Sequence, residues 1–153
     1  MYKKILVPLD GSELAECVLP HVESIANGCH VTRVVLARAI DLYIPTASYA
    51  YVSAALMEEI ESGSRKEALE YLDSVAARLD LKGIEVQKQV LIGRADVVIP
   101  EYIEKNGIDY IAIATHGRSG ISRWAWGSVA DRILRSACVP VMMIRAPGCE
   151  PGI

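Results

Sequence analysis

Short apolar runs of strand character alternate with stretches of helical periodicity along this whole chain, and that alternation leaves few folds open. The runs Ile5–Leu9, Val31–Ala39, Glu85–Ile92, Asp109–Ala114 and Val139–Ile144 read as strands. Between them, Ser12 can cap a helix carrying Leu14, Val18, Val22 and Ile25 at helical spacing before Asn27-Gly28, with Pro20 expected to kink it. Leu56, Ile60, Leu69, Leu72, Val75 and Leu79 trace a long amphipathic helix over Ala54–Leu81, with an interruption expected at Ser62-Gly63-Ser64. Ala95–Asn106, which contains Pro100, and Ser128–Ser136 complete the helices.

Strands and helices in this order close by right-handed crossovers into a parallel sheet with helices on both faces. The expected fold class is α/β: a single-domain, doubly wound, five-stranded parallel sheet of Rossmann-like type, strand order 3-2-1-4-5. The domain spans residues 1–146, and the Pro/Gly-containing tail 147–153 is expected to be disordered. Two connections stand out. Ile40–Val52 is polar and carries Tyr43, Tyr49 and Tyr51, which suit a lid; Thr115–Trp126 is a loop holding Trp124 and Trp126, whose ordinary use is packing against the domain.

At 153 residues, 52% hydrophobic and 23% charged, the chain has the size and composition of one soluble domain. A net charge of −3 supplies no positive field to gather nucleic acid or anionic lipid, so neither is an expected partner. The apolar run after Lys3-Lys4 is too short for a signal-peptide core, and no stretch approaches the ~18 apolar residues of a membrane helix. A cytoplasmic location is expected. Cys17, Cys29, Cys138 and Cys149 form no C-x-x-C pair, and His21, His30 and His116 are dispersed, so spacing assembles no metal site.

In a 3-2-1-4-5 sheet the direction of winding reverses between the first and fourth strands, and ligands bind in the crevice at that reversal. Pro8-Leu9-Asp10-Gly11-Ser12 ends the first strand; Ile113 and Ala114 end the fourth, followed by Thr115-His116-Gly117-Arg118-Ser119-Gly120. The segment Gly117–Ser128 then leads into a helix start, where unpaired main-chain N–H groups can receive an anion. Gly117 and Gly127 leave room for phosphate oxygens, the Ser128 hydroxyl can cap the helix or bind phosphate, and Arg118 and Arg123 add charge. The same residues also suit plain turns and caps, and Asp10 is as good a turn residue as a ligand contact. Their convergence on the reversal favours a site.

With these residues in place, the chain resembles the universal stress protein family along almost its entire length. Pro8-x-Asp10-x-Ser12 is similar to that family's first-strand signature, and Gly93-Arg94-Ala95 to the turn before its third helix. ATP-binding members carry glycine, two residues, glycine, nine residues, then glycine and serine or threonine. Here Gly117 is followed by nine residues and Gly127-Ser128, while the first glycine of the pattern falls on Ala114.

The resemblance implies a fold like the adenine nucleotide alpha hydrolases and an ATP site drawn from Pro8, Leu9, Asp10, Ala39, Ile113, Ala114, His116, Gly117, Gly127, Ser128 and Val129. Asp10 and Ala39 would hold the adenosine, and Gly117, Gly127, Ser128 and the main chain of Val129 the phosphates, with His116 near ribose or phosphate. Mg²⁺ is the expected companion, since it would relieve repulsion between Asp10 and a triphosphate. The implied role is regulatory or stress-responsive, with weak ATPase activity at most and no catalytic residues, and a homodimer formed through Val139–Arg145. Two rivals stay open. One is a dimeric module of the same family that does not bind nucleotide, which the extra methyl of Ala114 keeps in play; the other is an ATP-using enzyme of a related fold, which lacks its signatures here.

Overall fold

The computed structural model describes residues 2–42, 53–115 and 127–145. Its elements run β1 (Lys4–Pro8), α1 (Glu13–Glu16), α2 (Leu19–Gly28), β2 (Arg33–Ile40), α3 (Ala54–Arg78), β3 (Glu85–Ile92), α4 (Ala95–Lys105), β4 (Tyr110–Ala114), α5 (Ser128–Ser136) and β5 (Val141–Ile144). The five strands form one parallel sheet in the order β3-β2-β1-β4-β5, as the strand–helix alternation implies. β1 lies at its centre, with Lys4 beside Arg33 of β2 and Ile5 beside Tyr110 of β4.

Both faces of the central strands are covered, which is why their sequences are continuously apolar instead of alternating with polar residues. Ile5, Val7, Val34 and Leu36 pack with Val18, the N-cap of α2, Val22 of α2, and Leu72 and Val75 of α3. Leu6, Val35, Ile111 and Ile113 point the other way, onto Ile99 and Ile103 of α4 and Ala130 and Ile133 of α5. Two cores result, one per face.

Several boundaries differ from expectation for local reasons. The first helix does not bend at Pro20 but breaks into α1 and α2, and the proline sits in the opening turn of α2, where its missing N–H leaves no intrahelical bond unmade. Asn27 and Gly28 are helical, and the chain reverses instead at His30, whose φ of 57° is left-handed; Val31 N–H reaches back to Ala26 O at 3.2 Å. α3 runs unbroken through Ser62-Gly63-Ser64, bracketed by the Glu61–Arg65 pair at 3.7 Å. β5 starts at Val141 because Pro140 has no N–H for a ladder.

Candidate functional site

The switch point is built from three junctions. At the first, β1 gives way to α1: Leu9 N–H donates to Ala37 O at 2.8 Å, which extends the ladder beyond Pro8, and Gly11 then turns the chain with φ 87°. Asp10 Oδ1 accepts from both the N–H (2.9 Å) and the hydroxyl (2.6 Å) of Ser12. Ser12 Oγ in turn accepts from Ala15 N–H at 3.2 Å and caps α1. Asp10 is thus a turn residue that also stands at the edge of the site.

At the second junction, β4 ends in Ala114 and Thr115, both buried, and α5 begins beside them. Gly127 is the N-cap of α5, and its carbonyl accepts from Asp131 N–H at 2.9 Å. Its own N–H donates to Thr115 O at 2.9 Å, so it is not among the open donors that the sequence suggests there. Ser128 is the first helical residue and not the cap. The N–H groups of Ser128, Val129 and Ala130 belong to the first turn and have no intrahelical acceptor.

At the third junction, β3 passes into α4 through Gly93, whose φ is 125° and whose N–H donates to Ile40 O at 2.9 Å. That bond ties the start of α4 to the end of β2. Arg94 pairs with Asp96 at 2.9 Å on the outside of the turn.

A cavity of about 200 Å³ opens where the three junctions meet. Pro8, Leu9 and Asp10 form one side, and Ala39 of β2 another; Ile113 and Ala114 lie at the end of β4, and Gly127, Ser128 and Val129 at the start of α5. Every described member of the set drawn from the sequence therefore lines it. His116 and Gly117 lie outside the described residues, as do Arg118, Arg123, the two tryptophans and the tyrosines at 43, 49 and 51.

Sequence reasoning missed Ala15, Ala95, Ile99, Thr115 and Ala130, which also line the cavity. Gly93 marks a further strand-to-helix turn, but nothing in the residue types of Ala95 and Ile99 singles them out. Among the described lining residues Asp10 is the one charged side chain.

Beside the site, Arg38 of β2 is 8% exposed, and its guanidinium carbon lies 5.1 Å from the centre of the Tyr71 ring on α3. Glu67 approaches the same guanidinium at 3.5 Å. Burial pushes the Tyr71 phenol well above its ordinary pKa, and the carboxylates of Glu16 and Asp10 add to the shift while Arg38 opposes it. Glu16 is held by Arg78 at 2.7 Å. Among the described residues no group of three histidine, cysteine or carboxylate side chains could hold a metal, and no helix is long and apolar enough to cross a membrane.

A doubly wound parallel sheet with a cavity at its switch point defines a protein of the Rossmann-like class. Within that class, the sequence model of the universal stress protein family matches residues 1–145, and the chain belongs to that family. A universal stress protein of Methanocaldococcus jannaschii is 27% identical over 152 residues, covering 98% of this chain and 86% of the relative. A second protein of that organism, universal stress protein MJ0577, is 26% identical over 156 residues. Its solved structure superposes with a TM-score of 0.80, covering 97% of this chain and 99% of that one. A universal stress protein family member from Arabidopsis thaliana, solved with AMP bound, shares the fold at TM-score 0.65 and 16% identity over 95% of this chain and 93% of its own.

Proposed function

We propose that this protein binds ATP or a related adenine nucleotide in the switch-point cavity and acts stoichiometrically as a regulatory, stress-responsive module of the cytoplasm. The observation that carries this reading is the convergence of the β1 end, the β4 end and the α5 start, with Ala39, on one cavity. The AMP-bound Arabidopsis relative, which shares the fold, supports an adenine nucleotide.

The lining fits the parts of such a ligand unequally. Its aliphatic side chains suit the faces of a base, and Asp10 suits hydroxyl or amine donors. The open N–H groups of Ser128, Val129 and Ala130, with the Ser128 hydroxyl and the positive end of α5, suit phosphate oxygens. Mg²⁺ would offset triphosphate charge, and Asp10 is the described lining carboxylate able to share it. Asp10 Oδ1 already accepts two bonds from Ser12 and makes a poor base for activating water, so hydrolysis is slow or absent.

The functional unit is a homodimer through Val139–Arg145. β5 is a sheet edge of Val141, Met142, Met143 and Ile144, all half-buried, with no charge before Arg145. The opposite edge, β3, carries Glu85 and Lys88, which discourage strand pairing. A second reading, a dimeric module without nucleotide, is favoured by Ala114, whose methyl takes the place of the family's glycine at the cavity wall. Mass spectrometry of ligand released from gently purified protein separates the two. The first reading expects an adenine nucleotide near one per protomer; the second expects none.

A further inference from the structure

The cavity exists because the side chains around it are short. Ala15, Ala39, Ala95, Ala114 and Ala130 come from separate elements, and each leaves open the space that a larger residue would fill. Its volume of about 200 Å³ is below the ~300–1,000 Å³ usual for a pocket that encloses a whole drug-sized ligand. One end of a nucleotide fits, and the remainder must extend past the rim.

Chemistry decides which end. Ala39, Ala95, Ile99 and Val129 belong to or pack against the apolar core under α4 and α5, so this part of the wall offers dispersion contacts and no side-chain hydrogen bonds. Phosphate gains nothing there, whereas the two faces of a heteroaromatic ring do. Ala95 and Ile99 stand one helical turn apart, on the same side of α4. Gly93 locks that side in place through its bond to Ile40 O, at a φ of 125°.

Building on the nucleotide reading, we infer that Ala95 and Ile99 of α4 form the wall against which the base packs, and that the small size of Ala95 leaves the space the base occupies. Ile99, at 3% exposure, is held rigidly by the core behind it. Ala95 opens α4 and is half-buried, so a larger residue there projects into the cavity without displacing the core.

The test compares wild type with Ala95→Leu, using adenosine, Mg-ATP and inorganic tripolyphosphate as probes and circular dichroism to check folding. Ala95→Leu should weaken adenosine and Mg-ATP at least tenfold and leave tripolyphosphate unchanged. Should the leucine variant not fold, Ala95→Val is read in its place. Folded Ala95→Leu binding adenosine like wild type would overturn the inference. So would a wild type that binds tripolyphosphate but no adenosine, which leaves the phosphate half of the functional reading standing. A wild type that binds none of the probes overturns the functional reading itself, and this inference with it.

Discussion

The main-chain N–H of Gly127 donates to the carbonyl of Thr115 at 2.9 Å, and this bond clasps the end of β4 to the start of α5 at the mouth of the cavity. A Cβ built on Gly127 would lie 3.4 Å from that same oxygen, at the tight end of ordinary contact, and the residue's φ of −55° suits any side chain. Neither backbone strain nor the packing of the described residues therefore dictates a glycine here, and a side chain at this position is accommodated by the fold.

Gly127→Val should accordingly leave the fold intact and abolish Mg-ATP binding, because a branched side chain at the cap occupies the approach of a phosphate to the Ser128 and Val129 N–H groups. Ser128→Ala removes one hydroxyl contact and should cost about 1 kcal/mol, several-fold in affinity. Calorimetric titration with circular dichroism of each variant checks the ranking, and wild-type affinity in folded Gly127→Val would remove α5 from the site.

Gly93→Ala should destabilise the fold. The left-handed φ of 125° costs a side chain about 1–3 kcal/mol, and its Cβ would lie 2.8 Å from Val98 Cγ1. A drop of about 3 °C or more in Tm is expected, at roughly 2–4 °C per kcal/mol for a chain of this size. An unchanged Tm would mean that the turn before α4 relaxes freely.

His30→Gly should do the reverse. His30 holds φ 57° at the end of α2, where a side chain costs roughly 1–2 kcal/mol, so removing it should raise Tm by about 2–8 °C. Thermal melts read this directly, and a fall would mean that the imidazole makes contacts worth more than the strain.

The sheet order, both cores and much of the cavity were legible in the sequence, because apolar period and crossover handedness constrain a doubly wound fold tightly. What escaped it depended on competition between local terms. Pro20 could kink a helix or start one, and the loss of N–H at an opening turn costs nothing, so it started α2. Gly63 could break α3, but the packing of Ala68, Leu72 and Val75 and the flanking ion pairs carry the helix through. Ala95 and Ile99 carry no chemical signature at all. Alanine and isoleucine acquire a role only through the register that brings Ile40 beside Ile92 and hangs α4 over the end of β2.

Alkaline pH should unfold the protein partly through Tyr71. Its pKa in the folded state is raised above the ordinary phenol value of about 10, first by burial and then by Glu16, so the folded state retains a proton that the unfolded chain loses. The stability contribution is fully present below pH ~10 and is lost as pH rises beyond it. Urea titrations between pH 8 and 11 should show a shallower alkaline decline for Tyr71→Phe than for wild type, and parallel declines would contradict the assignment.

Dimerisation should depend on the outer edge of β5. Ile111 N–H bonds to Pro140 O and Thr115 N–H to Ile144 O, so the even-numbered residues face β4 and the N–H groups of Val141 and Met143 face outward. Met143→Pro removes one outward donor and keeps the bonds to β4. Wild type should sediment as a dimer at micromolar concentration and the variant as a folded monomer; a monomeric wild type would rule out the edge as the interface.

The central claim is that the switch-point cavity holds an adenine nucleotide, and calorimetric titration of nucleotide-stripped wild type with Mg-ATP tests it most directly. The account predicts saturable binding at one nucleotide per protomer, abolished in folded Gly127→Val. The absence of saturable binding in a folded wild type, persisting in Ala114→Gly, would contradict it.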